Sequence, residues 1–217
     1  MWDIIYLMEL RPEKFKLIAG DLSLDFVNTA SKWQRTDKAY VPAGESIADV
    51  ADLVSWALKA KTVDEKTARG LLQRESATGG GTQNLRRARK LRAAIYGLAV
   101  AMIDGKRPLT DDLDRLDKER RRALGDQTFE YAGGKFELNN RPDAEPLDAI
   151  IDSVIFGAVE LLTSDRSKRI RMCGGDSCGW LFVDDSRGRN RHWCDMRDCG
   201  NLAKVRRFRN KAAKETS

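Results

Sequence analysis

The sequence predicts a mainly α fold with one β-hairpin, an α+β class. A helical N-terminal part over residues 1–165 is followed by a small cysteine-bearing module over 166–217. Three observations carry this prediction. Apolar residues recur at helical spacing through most of the first 164 positions. Two alternating runs, "TFEYA" and "KFELN", flank Gly133-Gly134, which is a two-residue hairpin signal. All four cysteines lie within the twenty-seven residues from Cys173 to Cys199. With 41% hydrophobic residues the chain can build a core, and with 33% charged residues it keeps a well-solvated surface.

"EKFKLIAG" (13–20) reads as a short strand or an extended lead-in, broken at Gly20-Asp21. "DLSLDFVNTASKW" (21–33) reads as a helix with Asp21 as its N-cap and Leu22, Phe26 and Val27 on one stripe. Ser46 is the expected cap of "IADVADLVSWALKAK", where Ile47, Val50, Ala51, Val54 and Leu58 share a face. Thr62 is the expected cap of "VDEKTARGLLQRE", and "ATGGGTQ" (77–83) is a flexible break. "NLRRARKLRAAIYGLAVAMIDG" is a long helix whose second half is almost wholly apolar and therefore buried. Thr110 is the expected cap of "DDLDRLDKERRRALG", with Leu113 and Leu116 on its inner side. After the hairpin, "PLDAIIDSVIFGAVELLTS" (146–164) starts with a proline near the first helical position and is apolar on most sides. It is the expected central helix, leading directly into the cysteine module. The chain truncated near Ser164 is expected to stay soluble and helical.

Cys173 and Cys178 flank four residues, fifteen follow, and Cys194 and Cys199 flank another four. No apolar run approaches the ~20 residues that span a bilayer. The N-terminus shows neither a basic stretch nor a small-residue cleavage site, so the expected location is the cytoplasm, with no membrane partner. Thiols there stay reduced, and clustered cysteines in such a setting bind metal. Zinc takes four tetrahedral ligands and is well served by thiolates. Glycines follow the pairs at 174, 175, 179 and 200, where a chain must turn beneath a metal. The expected order is knuckle, hairpin ("WLFVDD" then "SRGRNR"), second knuckle, helix, which is treble-clef-like. Structural Zn2+ on Cys173, Cys178, Cys194 and Cys199 is therefore the expected cofactor. The alternatives are a redox dithiol, for which no Cys-x-x-Cys exists, and four merely buried cysteines. His192, two residues before Cys194, is not needed to complete the set. Trp180 and Trp193 are expected to form the small core of the module.

The positive charge sits in the same place. Residues 165–217 hold fourteen Lys/Arg and seven Asp/Glu, which leaves twenty-five basic and twenty-six acidic residues in the other 164. On the last helix Leu202, Val205 and Phe208 fall three apart, as a seam expected to pack on the zinc hairpin. Lys204, Arg207 and Lys211 form another stripe, flanked by Arg206 and Arg209. With Arg187, Arg189 and Arg191 on the preceding loop, these eight are the expected phosphate-binding residues. Against this stands an Arg-rich solvated terminus whose cations merely suit the helix dipole.

"CGNLAKVRRFR" (199–209) resembles the signature of bacterial CGNR zinc-finger proteins, and "CGGDSCGWLFVDDSRGRNRHWC" is similar to their first cysteine pair and linking stretch. "LIAGDLSLDFVNT" (17–29) resembles the start of the ABATE domain that usually precedes this finger. The resemblance covers nearly the whole chain. It implies a stress-induced transcriptional regulator. Leu202 stands where the family typically has arginine.

Asp21, Asp25, Asn28 and Thr29 crowd into nine residues, with Trp33 one turn beyond. They are read either as cap and backbone partners or as the lining of a small-molecule effector pocket. A catalytic role for the two aspartates finds no support. There is no nucleophile–base pairing, no phosphate-cradling loop, and the only histidine lies in the zinc module. The expectation is therefore no enzyme. Three readings remain: a DNA-binding regulator whose helical part senses a ligand or forms a homodimer, an RNA- or protein-binding adaptor, and a small-molecule-binding protein or enzyme with a structural zinc.

Overall fold

The computed structural model describes residues 9–141 and 145–215. Seven helices and three two-stranded antiparallel ribbons follow one another in these segments. Helix α1 (Leu22–Val27) is capped by Asp21, whose carboxylate accepts from the Ser23 N–H at 3.0 Å. The expected helix over 21–33 stops there, and the chain turns into strand β1 (Ala30–Arg35), paired with β2 (Tyr40–Glu45). Where the helix stops, one polar side chain turns back on the helix end and another reaches a distant partner. The Thr29 hydroxyl donates to the Phe26 carbonyl, and the Asn28 amide is drawn out to Leu181. This hairpin escapes sequence reading because its turn is held by Thr36, which bonds to Ala39 through backbone and hydroxyl, with no glycine.

Helices α2 (Val50–Lys59) and α3 (Glu65–Thr78) are capped by Asp49 and Asp64, not by Ser46 and Thr62. Each aspartate accepts from the N–H three residues on, at 2.7 Å. Ser46 instead gives its N–H to the Thr29 carbonyl, and Thr62 bonds the Ala57 carbonyl. Helix α4 (Thr82–Asp104) begins just past the glycine break, and it is buried from Ala94 to Val100 as expected, while its last turn is partly exposed at Met102. Helix α5 (Thr110–Gly125) has Leu109 at its N-cap position with no side-chain cap, so Thr110 is its first residue. Leu116 is buried on its inner side, but Leu113 is exposed. Strands β3 (Gln127–Ala132) and β4 (Lys135–Asn140) form the hairpin about Gly133-Gly134. Helix α6 (Asp148–Thr163) packs on α1, α4 and α5, at the centre as the sequence indicates.

A fully buried arginine and a largely buried one tie the helices together. Arg92 on α4 bonds the Thr29 hydroxyl at 2.7 Å and grips the Glu45 carboxylate with two nitrogens. Arg87, one turn earlier, pairs with Glu119 of α5 and Asp148 of α6. A charge left alone in such places would cost several kcal/mol, so each arginine fixes the register of its neighbours.

After α6 a tight turn (Asp165–Arg169) leads into β5 (Ile170–Met172), which pairs with β6 (Leu181–Val183). Leu181, Phe182 and Val183 are all buried, and they share one apolar cluster with residues of α1, α2, α4 and α6. The lead-in segment, which is not a strand, meets them: the Val183 N–H donates to the Ala19 carbonyl at 2.8 Å. Residues on both sides of position 165 therefore share one apolar cluster. Truncation at Ser164 would uncover the apolar surface under β5 and β6. We expect the shortened chain to aggregate or lose helicity, checked by light scattering and far-UV circular dichroism. Asn28→Ala should lower stability by about 2–4 kcal/mol, because it strands two buried backbone groups of Leu181; urea denaturation reads this as a lower midpoint at similar slope.

Candidate metal centre and basic surface

The four cysteines converge at one end of β5 and β6. Cys173 leaves β5, and the chain turns so that Cys178 lies just before β6. The Cys178 N–H donates to the Gly175 carbonyl at 3.1 Å, and the Cys173 N–H to the Trp180 carbonyl at 2.8 Å. Two glycines permit this turn. Gly179 has φ +70°, which favours glycine, and a Cβ at Gly175 would lie 3.2 Å from the Cys199 Sγ. Of the second pair, Cys194 lies just before, and Cys199 within, a five-residue turn (Met196–Gly200), capped by Asp195, that runs directly into α7 (Asn201–Glu215).

All four Sγ atoms lie within 4.8 Å of one another. Cys178 and Cys194 are 3.7 Å apart, Cys194 and Cys199 3.6 Å. A tetrahedron with zinc–sulfur bonds of ~2.3 Å has edges of about 3.8 Å, so the set fits a structural zinc site. The Cys194 N–H donates to the Cys173 Sγ at 3.3 Å, a bond that favours a thiolate. The thiols are set against one another: hydrogen bonds from Cys178 and Cys194 pull Cys173 down, and the contact with Cys173 pushes Cys194 up. A dication resolves this competition by taking the place of the shared protons.

The expected order of the module is corrected in one respect. The hairpin does not lie between the knuckles, because β5 precedes the first cysteine pair and β6 follows it. "SRGRNR" is a loop, held to the Asp184 carboxylate by the Ser186 N–H and hydroxyl and by the Arg191 N–H. An incoming strand 170–172 with only three residues gives too short a pattern to read.

Of the eight expected phosphate ligands, Arg187 and Arg189 are exposed on that loop, and Lys204, Arg206, Arg207 and Arg209 are exposed on α7. Arg206 also pairs with Asp176 beside the first knuckle. The Lys211 side chain lies outside the described ones. Arg191 is differently employed: its guanidinium bonds the carbonyls of Ile18, Trp193 and Cys194 and covers the Phe182 ring at 4.1 Å. Its charge therefore stands beside the metal centre, where it offsets part of the formal −2 of a four-thiolate zinc. Sequence counting could not separate this arginine from its neighbours. Arg197, exposed in the turn between the last two cysteines, is a further cation beside these. His192 is exposed, and its carbonyl accepts the Gly174 N–H.

The seam of Leu202, Val205 and Phe208 does not pack on the hairpin. These side chains are 61%, 47% and 76% exposed. Helix α7 packs on the turn before it, and among the described residues no further element covers the seam. A groove of about 860 Å³ separates α7 from the knuckles, with Trp180 and Trp193 in its wall and Arg206 and Arg207 on its rim.

The five residues proposed for a ligand pocket are each engaged by the fold. Asp21 caps α1 and pairs with Arg166 at 3.2 Å. Asp25 accepts the N–H groups of Ile18 and Ala19 at 2.8 and 2.9 Å, while burial pushes its carboxyl up to about 6. The Asn28 amide donates to the Leu181 carbonyl at 2.8 Å and accepts its N–H at 2.9 Å. Thr29 meets Arg92, and Trp33 stacks on Tyr96 at 4.3 Å. The motif therefore clamps the finger onto the helices. A cleft of ligand size lies elsewhere, an apolar one of about 350 Å³ among Leu98, Met102, Leu113, Leu116, Val159 and Leu162.

Among the described residues no helix is long and apolar enough to cross a membrane. The ABATE family profile, described as "Putative stress-induced transcription regulator", matches residues 20–165, and the CGNR zinc-finger profile matches residues 169–212. No curated protein matches the chain.

Metal analysis of the purified protein should find one zinc per chain. Cys199→Ser should release it and unfold α7, measured as a loss of helicity, and should also lower the stability of the helical part, since the two share a core. Structural zinc contributes on the order of 10 kcal/mol in small fingers.

Proposed function

The chain belongs to the ABATE family and ends in a CGNR zinc finger, and from that premise we propose that it is a DNA-binding transcriptional regulator, not an enzyme. The observation that carries the reading is the set of cations Lys204, Arg206, Arg207 and Arg209. All are exposed on a helix whose first turn follows directly on a zinc ligand. The metal fixes where the helix starts, and the helix presents the charge. Phosphate contact by such a helix supplies affinity without sequence information. Sequence choice requires base contacts, and a single small module binds weakly without a second one. The apolar cleft among α4, α5 and α6 is the seat we propose for a small-molecule effector. The exposed seam on α7 favours a second reading, an adaptor in which the same helix meets RNA or a protein.

Anisotropy titrations of labelled duplex DNA test the first reading. With about four cations at phosphates, log affinity should fall against log salt with a slope of about −4. Arg207→Glu with Arg209→Glu should abolish binding without releasing zinc; these two are chosen because Arg206 is already paired with Asp176. Absence of salt-dependent affinity at low ionic strength would sink the regulator reading and leave the adaptor.

A further inference from the structure

We propose that the β3–β4 ribbon is a self-association surface whose aromatic face takes a second copy of this chain. For its purpose the proposal rests on the regulator reading, because a dimer doubles the finger; its evidence is separate.

Phe129 stands opposite Leu138, and Tyr131 opposite Phe136. Directly opposed residues share a face, as do residues two apart on a strand, so all four side chains lie on one side of the ribbon. They are 71%, 64%, 67% and 69% exposed in the order named. Phe129 and Phe136 stack at 5.2 Å, nearly parallel, and Tyr131 leans on Phe136 at 5.0 Å. The strands pack on each other, and among the described residues no other element packs on them to a comparable extent. A lone two-stranded hairpin is marginal in water, and a contiguous apolar face of this kind marks an interaction site. The ribbon therefore needs a partner on this face.

Charge selects the partner. The aromatic face carries no ionisable group other than the Tyr131 hydroxyl. The opposite face carries Glu130 against Glu137, with Lys135 as its one cation. A ribbon with that balance repels phosphates, which disfavours nucleic acid and anionic membrane. A second copy brings an identical uncharged face, and a two-fold arrangement sets no like charges opposite one another. The area is sufficient. At 150–250 Å² per aromatic side chain, two-thirds exposure leaves roughly 100–170 Å² each. Three such rings with Leu138 offer on the order of 500 Å², and a pair of copies buries about 1,000 Å², the threshold for a specific interface. Aromatic residues without charge at the centre are what such interfaces use.

Sedimentation equilibrium of the full zinc-loaded chain should give a species of twice 24.4 kDa at micromolar concentration. Phe129→Glu with Phe136→Glu should raise the dissociation constant on the order of 100-fold, with circular dichroism and zinc content unchanged. Leu138→Asp alone should weaken association in the same direction, and Thr128→Glu on the back face should leave it intact. A wild-type monomer at every concentration, or a dimer that survives charges on the aromatic face, overturns the proposal. A dimer with no affinity for DNA would keep this proposal and remove the regulator reading; a monomer that binds DNA would do the reverse.

Discussion

The structure depends on a primary amide reading the backbone of a strand. The side chain of Asn28 offers Leu181 both an acceptor and a donor, as a neighbouring strand would. A fifty-residue module cannot bury enough surface to stand alone, and metal supplies only one of its ends. The other end is supplied by the helical part: Leu181, Phe182 and Val183 lie in its core, and Arg191 reaches back to the Ile18 carbonyl. Two buried backbone bonds to one side chain fix the register of that packing. Without them β6 would bring unpaired N–H and C=O groups into an apolar interior, at a cost of about 1–3 kcal/mol each.

Much of this was legible in the residues. The cysteine cluster announced a metal site because four thiols and nearby glycines have few other uses in so short a span. Helices α4 and α6 were plain because their apolar positions persist over many turns. The Gly133-Gly134 hairpin was plain because two adjacent glycines readily take the positive φ that a two-residue turn needs, as both do here. Other features depended on partners remote in sequence. Asn28 meets a residue 153 positions away, so no local pattern distinguishes a clamp from a pocket. Arg191 and Arg189 differ by two positions, yet one lies over an aromatic ring bonded to carbonyls and the other faces solvent. The caps were missed by two or three residues, because Ser46 and Thr62 offered good chemistry slightly too early and the nearby aspartates took the position.

The exposed seam on α7 and the aromatic ribbon share a cause. Each packs on little beyond its immediate neighbour: α7 on the turn carrying Cys199, and the two strands of the ribbon on each other. Amphipathic patterning states that a face wants cover, but not that the cover lies within the same chain. The expectation that Leu202, Val205 and Phe208 pack on the zinc hairpin failed for that reason.

The clamp also bears on how such a protein is inherited. A finger strung on a linker can be exchanged between genes as a self-contained bead. Here Asn28 and the 179–183 segment are two halves of one joint, encoded far apart. Recombination between them would give each descendant a socket without its peg. Lineages carrying both parts should therefore transmit them together, with drift at either half constrained by the other.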